Sequence, residues 1–193
     1  MGTNRQELIR IVTQLSEPLE PVPTGLDPKL PGLGDVQAVL FDVYGTLFIS
    51  ASGDISVGSS LSSADALEEA LGRGGYAAPD GTGRKGVGLL RDAIVASHRD
   101  SRERGMEYPE VDIRDIWRQV LAALDVQPSP GGDADLERLA VAYESLVNPV
   151  WPMPGAAGIL RRLAGSSVAL GIVSNAQFYT PILFEALLGT DMA

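Results

Sequence analysis

An apolar run that ends abruptly in an acid is the feature that most limits how this chain can fold. The run extends from Ala38 to Phe41, and Asp42 follows it, with Gly45 and Thr46 shortly after. Four to six apolar residues bounded by turn residues are typical of a buried strand in a parallel sheet, and ligands bind beyond the carboxyl ends of such strands. The pattern predicts that Asp42 lies at a ligand site. The simpler alternative is an aspartate that caps its own turn.

A second apolar run has the same form. It extends from Val168 to Val173, and the polar pair Ser174 and Asn175 ends it. A hydroxyl and an amide at a strand end can donate hydrogen bonds to an anionic oxygen. A hydroxyl in this position is also a common cap of a turn or helix.

Between the two runs the chain favours helices. A capping pattern begins at Ser62, and apolar stripes at helical spacing occupy 89–95, 112–124 and 135–147. Each helix has a polar face opposite its apolar stripe, so the helices are expected to bury their apolar stripes against one another as a small bundle. The glycine-rich stretch 72–88 is expected to be a flexible connector.

The remaining segments are shorter. Residues 5–16 predict an amphipathic helix, and the prolines that follow predict an irregular arm laid over the domain. The stretch 47–57 carries a hairpin signal. Prolines stiffen a return linker at 148–155, and Thr180 begins a last helix.

Composition narrows the class of protein. Of the 193 residues, 45% are hydrophobic and 21% are charged, as is usual for a globular protein. There is no cysteine and no apolar run of roughly 18 residues, so we expect a cytoplasmic protein without a membrane partner. The net charge of −10 argues against a nucleic-acid partner, which would need clustered Lys and Arg. It leaves a small anionic substrate open, because a few arginines in a pocket can dominate locally.

Both apolar runs resemble motifs of one family. The string from Phe41 to Phe48, Phe-Asp-Val-Tyr-Gly-Thr-Leu-Phe, resembles the first motif of the haloacid dehalogenase superfamily. The string from Leu170 to Asn175 ends in Ser-Asn and resembles the second motif. The resemblance covers residues 36–193 and implies an α/β fold with a Rossmann-like three-layer core, a parallel sheet and an inserted helical cap of the C1 type.

The same resemblance implies a division of the chain into domains. The core is expected to comprise residues 36–57 and 149–193, and the cap residues 58–148. Residues 1–35 are expected to form an N-terminal helix and a Pro-rich linker.

The resemblance also implies a hydrolase whose nucleophile is the Asp42 carboxylate. A carboxylate can attack carbon or phosphorus to form an aspartyl-enzyme intermediate, which water then hydrolyses. Phosphatases of this family carry a second Asp two positions later as general acid and base, but this chain carries Tyr44. The ordinary tyrosine pKa of roughly 10 makes it a poor proton shuttle near neutrality. Tyr44 resembles the 2-haloacid dehalogenase branch, although a tyrosine that only stabilises its loop is the simpler alternative.

The anionic substrate is expected to be held by groups at the two strand ends. Thr46 and the backbone amides near Gly45 would contribute from the first loop, and Ser174 and Asn175 from the second.

Further from the strand ends, Arg99 and Arg102 could bind a substrate carboxylate or phosphate. A solvated charged helix face is the simpler interpretation of these arginines. The single histidine, His98, is expected to be a helix residue rather than a base.

The metal expectation depends on the branch of the family. In the phosphatase branch Mg²⁺ would be bound by the Asp42 carboxylate, the Tyr44 main-chain carbonyl and a later acid. The dehalogenase branch implies no metal.

The family's third and fourth motifs have no match in this chain. No Lys or Arg follows Asn175, and the only later acids are Glu185 and Asp191. We therefore expect that the C-terminal part of the core is missing, or that a second chain, in a homo-oligomer or from another protein, completes the sheet.

Three alternatives to a dehalogenase-like hydrolase follow from these residues. A Mg²⁺-dependent phosphatase is the first. A truncated, catalytically inactive interaction module is the second, favoured by the absent motifs and the Pro-rich arm. A receiver-like phospho-acceptor at Asp42 is the third, and the large helical insert argues against it.

Overall fold

The chain has a mixed α/β fold in which about half of the residues are helical. The structure is a computed structural model that describes residues 2–50, 62–127 and 130–190. A π-helical turn (Phe184–Leu188) follows the last α-helix. The elements, in chain order, are α1 (Gly2–Leu15), β1 (Ala38–Phe41), β2 (Phe48–Ser50), α2 (Ser63–Arg73), α3 (Thr82–Glu103), α4 (Ile113–Ala123), α5 (Asp133–Val147), β3 (Val150–Pro152), α6 (Ala156–Ala164), β4 (Ala169–Ile172) and α7 (Thr180–Leu183).

The two predicted strands pair with each other. β1 and β4 form a two-stranded parallel sheet in which Ala38 is opposite Ala169 and Phe41 is opposite Ile172. Parallel pairing requires a crossover of a dozen or more residues, and the helical segments lie within that crossover. The expectation of a parallel sheet is confirmed.

The helices between the strands form the larger part of the core. The apolar stripes of α4 and α5 are buried as expected, and Trp117 of α4 packs edge-to-face on Tyr143 of α5 with ring centroids 5.1 Å apart. The stripe predicted at 89–95 is less buried than expected, since Leu90 is its one buried member and Val95 is 61% exposed. α4 begins at the N-cap Asp112, whose side chain accepts a hydrogen bond from the backbone N–H of Arg114. α2 likewise has Ser62 as its N-cap.

Helix α3 begins earlier than the sequence predicted. The glycine-rich stretch 72–88 is not entirely a connector, because its second half belongs to α3. Gly83 and Gly86 are buried against α2: a Cβ on Gly83 would lie 2.1 Å from the carbonyl oxygen of Ala64, and one on Gly86 would lie 2.5 Å from Leu67 Cδ2. These glycines therefore allow the two helices to approach closely, which outweighs their low helix propensity.

The N-terminal helix packs on the core, whereas the Pro-rich arm after it is exposed. α1 packs on α5 and α7, burying Leu8, Ile11 and Val12. The Pro-rich arm does not lie over the domain as expected: residues 22–38 are exposed, with Leu30 89% exposed. Proline lacks an amide donor and interrupts any apolar stripe, so this segment forms neither a helix nor a ladder.

The hairpin signal at 47–57 leads to a different pairing. β2 pairs antiparallel with β3, so that Phe48 is opposite Pro152 and Ser50 is opposite Val150. The rest of the predicted hairpin, residues 51–57, lies outside the described residues. The return linker therefore contains a strand, and this small sheet joins both ends of the helical insert.

The parallel sheet leaves several apolar side chains uncovered. Leu40 is 67% exposed and Val173 is 63% exposed, although strands of parallel sheets are usually covered on both faces. None of the helices in the described part of the chain is both long and apolar enough to cross a membrane.

Candidate active site

The two polar strand ends lie side by side. The backbone N–H of Val173 donates a hydrogen bond of 2.9 Å to the carbonyl oxygen of Phe41, one residue beyond the last pair of the ladder. Asp42 follows Phe41 and Ser174 follows Val173, so both residues lie at the carboxyl-terminal end of the parallel sheet. Asp42 is exposed and Ser174 is half-buried. The structure thus brings the two predicted motifs together at the carboxyl ends of neighbouring parallel strands, where α/β sheets bind ligands.

The loop after β1 is a compact turn. Gly45 has a φ of +82°, which an L-residue rarely adopts, and its N–H donates to the carbonyl oxygen of Phe48 at 2.7 Å. The N–H of Thr46 donates to the carbonyl oxygen of Val43 at 3.3 Å. Because the turn itself uses these two amides, the exposed Thr46 side chain is the group that this loop offers to an anionic ligand in this conformation.

Tyr44 directs its hydroxyl into the core. Its OH lies 3.1 Å from Oγ1 of Thr180, a residue only 1% exposed at the start of α7. Burial raises the pKa of Tyr44 to about 12, with the hydrogen bond to Thr180 opposing part of that effect. A hydroxyl that is bonded within the core and holds its proton this firmly is not suited to shuttle protons at neutral pH.

A second group of polar side chains surrounds a small cavity beside Tyr44. The carboxyl of Glu144, on α5, accepts a hydrogen bond of 2.8 Å from Nδ2 of Asn148, and Tyr179 also bonds to it. The hydroxyl of Ser50, at the end of β2, donates to Oδ1 of Asn148 at 3.1 Å. Burial raises the pKa of Glu144 above its ordinary value, and burial together with the Glu144 charge raises the pKa of Tyr179.

Gln177 joins the loop after β4 to the helical insert. Its Nε2 donates to the carbonyl oxygen of Val111 at 2.9 Å, and its Oε1 accepts from the N–H of Ile113 at 3.1 Å. The two contacts fix the loop against the turn that begins α4. The exposed Asn175 lies in the same loop, just beyond Ser174.

The predicted arginines lie elsewhere in the fold. Arg99 and Arg102 are exposed residues of α3, whose main packing partners are α2 and α4. Arg99 pairs with Asp100 at 3.2 Å and more distantly with Glu103. Within the described ranges no hydrogen bond or ion pair joins either arginine to the strand ends. His98 is a half-buried residue of the same helix, as expected.

The oxygen groups that would bind Mg²⁺ in the phosphatase branch are only partly present. Asp42 and the Tyr44 carbonyl belong to one loop, but Glu185 pairs with Arg5 of α1 at 2.6 Å, and Asp191 lies outside the described residues. The part of the chain that the structure describes holds no cluster of three or more His, Cys, Asp or Glu side chains that could bind a metal ion. The described residues therefore do not provide the complete ligand set that this branch implies.

A larger cavity lies away from the strand ends. Its volume is about 440 Å³, and Tyr76, Leu121, Asp125 and Leu136 are among its lining residues. None of the residues lining it belongs to the loops after β1 and β4. It is therefore separate from the candidate active site.

The residues that sequence analysis missed are Glu144, Asn148, Gln177, Tyr179 and Thr180. One signal was present: Glu144 lies four residues after Ala140, and so on the helix face that buries it. Asn148 bonds to Glu144 four residues before it, but its bond to Ser50, and those of Gln177, Tyr179 and Thr180, join distant parts of the chain, which no local pattern records.

Comparisons with known proteins place this chain in no group. It matches no protein-family model, no curated protein and no solved structure.

Proposed function

We propose that this chain is a hydrolase that works through an aspartyl-enzyme intermediate at Asp42, with chemistry like that of the 2-haloacid dehalogenases. One carboxylate oxygen of Asp42 attacks the carbon that bears the halogen, and halide leaves with the bonding electron pair. Water then attacks the carboxyl carbon of the new ester. This step releases a 2-hydroxy acid, restores the carboxylate of Asp42 and passes one proton of the water to solvent.

The observation that carries this proposal is the hydrogen bond between Val173 and Phe41. It sets Asp42 and Ser174 on neighbouring strands at one edge of a parallel sheet. An exposed carboxylate beside hydroxyl and amide donors can attack a small anionic substrate while the donors hold its carboxylate. The side chains of Thr46 and Asn175 are exposed in the same two loops.

Tyr44 favours dehalogenase chemistry over phosphatase chemistry. The alcohol portion of a phosphomonoester leaves as an alkoxide that needs a proton, whereas halide needs none. The hydroxyl of Tyr44 is hydrogen-bonded to Thr180 and keeps its proton. It is therefore compatible with halide release, which needs no proton from this position.

The proposal includes a Rossmann-like core and a helical cap. Its support is the position of α2 to α5 between β2 and β3, which pair with each other at the root of the insert. Such a root would let the insert close over the strand ends as one unit. Hydrogen bonds from Gln177 to the turn before α4 are a direct contact between the two parts.

The test is halide release from 2-chloropropionate by the parent chain and by Asp42→Asn. We expect release by the parent and none by the variant, because an amide is a far weaker nucleophile than a carboxylate. Asp80→Asn is the matched control, since Asp80 is also an exposed aspartate. Equal release by the parent and Asp42→Asn would contradict the nucleophile assignment. Phosphate release from p-nitrophenyl phosphate that requires Mg²⁺ and Asp42 would favour the phosphatase instead.

A second candidate is a module that binds another polypeptide by adding a strand to the β1–β4 sheet. The exposed Leu40, Ile172 and Val173 favour it, because open edges with apolar side chains pair readily with an extended segment. Leu40→Lys would then weaken the self-association of the chain, measured by analytical ultracentrifugation, without changing its circular dichroism spectrum. A chain that is monomeric at all concentrations and has halide release would contradict this candidate.

A further inference from the structure

The small cavity beside Tyr44 is where four separate segments meet. Val12 of α1, Glu144 of α5, Val150 of β3 and Tyr179 before α7 all line it. Its volume is only about 10 Å³, so it is close to filled by its own walls. Contacts that hold these side chains also hold the loop that carries Tyr44 and the start of α7, which carries Thr180.

A chain of hydrogen bonds crosses this meeting point. Tyr179 bonds to Glu144, and the next residue, Thr180, bonds to the hydroxyl of Tyr44 at 3.1 Å. On the other side, Asn148 joins Glu144 to Ser50 of β2. This series of hydrogen bonds therefore connects the loop after β1, the start of α7, helix α5 of the insert and the strand β2 at the base of the insert.

We propose that Glu144 is a positioning residue for the candidate active site, holding the segment after β4 in register with the loop after β1 through Tyr179, Thr180 and Tyr44. The proposal rests on the proposed function for its catalytic consequence. Glu144 touches neither Asp42 nor substrate in this account. It acts on the reaction only by fixing where Asp42 and Ser174 stand.

The surroundings of Glu144 make the connection between the segment after β4 and the loop after β1 sensitive to the protonation of the Glu144 carboxyl. Its neighbours from α1, β3 and α7 are Val12, Val150 and Leu183, and the titratable groups lining the same cavity are Tyr44 and Tyr179. No Lys, Arg or His is among the described residues that line it. The hydrogen bonds from Asn148 and Tyr179 favour the ionised carboxyl, but burial is the larger effect and opposes ionisation. With no cation among the described lining residues, ionisation therefore favours movement of the carboxylate towards water and away from Tyr179.

A surface role predicts different behaviour from a positioning role. If Glu144 were only a solvated helix residue, its amide variant would behave like that of any exposed acid. If it positions the two loops, its ionisation loosens residues 174–183 and 43–48 while α2 and α3 stay unchanged. The difference appears in the pH dependence, which a simple loss of packing would not alter.

Hydrogen exchange measured by mass spectrometry tests this connection without using activity. Exchange rates are corrected for the intrinsic effect of pH and compared for the parent, Glu144→Gln and Glu103→Gln, the last being an exposed acid of α3. We expect exchange in 174–183 to rise with pH in the parent and in Glu103→Gln, but not in Glu144→Gln. The same pH dependence in all three proteins would overturn the proposal.

Tyr179→Phe keeps the proposal testable if Glu144→Gln does not fold. This variant retains the carboxyl but removes the hydroxyl that it bonds, so faster exchange in 174–183 is expected even at low pH. Exchange in this segment equal to that of the parent would overturn the proposed connection.

Halide release from 2-chloropropionate tests the catalytic consequence. A small displacement of reacting groups can lower a rate by about 100-fold, so we expect kcat of the parent to fall at high pH with KM little changed. Glu144→Gln should lack this fall. A fall that persists in Glu144→Gln overturns the positioning role. Absence of halide release by the parent overturns the proposed function, whereas the exchange data separately decide whether Glu144 ties the segments together.

Discussion

The hydroxyl of Tyr44 lies 3.1 Å from Oγ1 of Thr180, and this bond joins the loop that follows β1 to the helix that follows β4. Tyr44 occupies the position that would decide between two chemistries, and its hydroxyl takes part in holding the core together. The phenol therefore has a structural use, and the proposed reaction relies on Asp42 and the polar groups at the strand ends.

Removing the Tyr44 hydroxyl should lower both the stability of the fold and the rate of the proposed reaction. Tyr44→Phe leaves the buried Thr180 hydroxyl without this partner, so we expect the free energy of unfolding to fall by about 1 to 3 kcal/mol. Urea unfolding measures it, and Tyr108→Phe is the control because Tyr108 is 82% exposed. Halide release per folded molecule should fall as well, with KM little changed, because this bond is part of the network that positions the two strand ends. Loss of turnover without loss of stability would show that the hydroxyl takes part in the reaction.

The close approach of α2 and α3 depends on Gly83. In Gly83→Ala the new methyl would meet the Ala64 carbonyl oxygen, a backbone atom that cannot rotate away. We expect the free energy of unfolding, measured in urea, to fall by about 1 to 3 kcal/mol.

Gly88→Ala is the matched control for this variant. Gly88 lies in the same helix, and a Cβ on it would have no neighbouring atom within 4 Å, so alanine should stabilise the protein by about 0.5 to 1 kcal/mol. Equal effects of the two substitutions would contradict the close contact between α2 and α3.

Stability should depend on pH through Glu144. Its pKa in the folded protein lies above the ordinary value of 4.5, so the folded state holds this proton over a pH range in which the unfolded chain has lost it. The free energy of unfolding therefore falls as pH rises from 4.5 to the folded-state pKa. Glu144→Gln lacks this loss. Its stability relative to the parent should increase with pH over that window, and a difference independent of pH would contradict the burial of the carboxyl.

Gln177 should matter although it is outside both motifs. Gln177→Ala removes two hydrogen bonds to the turn before α4, and we expect a fall of about 1 to 3 kcal/mol in the free energy of unfolding. Gln119→Ala, at an exposed position of α4, is the control and should change stability by less than about 0.5 kcal/mol. Similar values for the two variants would contradict the link between loop and insert.

The two parallel strands and the buried face of α4 could be predicted from the sequence, because each depends on the pattern of apolar residues along one segment. The apolar runs predicted at 38–41 and 168–173 contain the parallel strands β1 and β4, and the stripe containing Trp117 is the buried face of α4. The side-by-side position of Asp42 and Ser174 follows from parallel pairing of those strands. Sequence reasoning could therefore identify both ends of the candidate site.

The remaining features depend on contacts between distant residues. The start of α3 was missed because glycine usually weakens a helix, and only contact with Ala64 explains why Gly83 is favourable there. The pairing of β2 with β3 joins segments about 100 residues apart through three residues each, which is too short for a periodic signal. The bond between Glu144 and Tyr179 likewise joins residues 35 positions apart and has no signature along the chain.

The central claim is that Asp42 forms a covalent intermediate, and oxygen transfer from water tests it most directly. The protein is allowed many turnovers of 2-chloropropionate in water enriched in ¹⁸O, and the peptide containing Asp42 is then analysed by mass spectrometry. We predict that ¹⁸O enters the side chain of Asp42, because water attacks the carboxyl carbon of the intermediate. An Asp42 peptide without ¹⁸O would contradict the account.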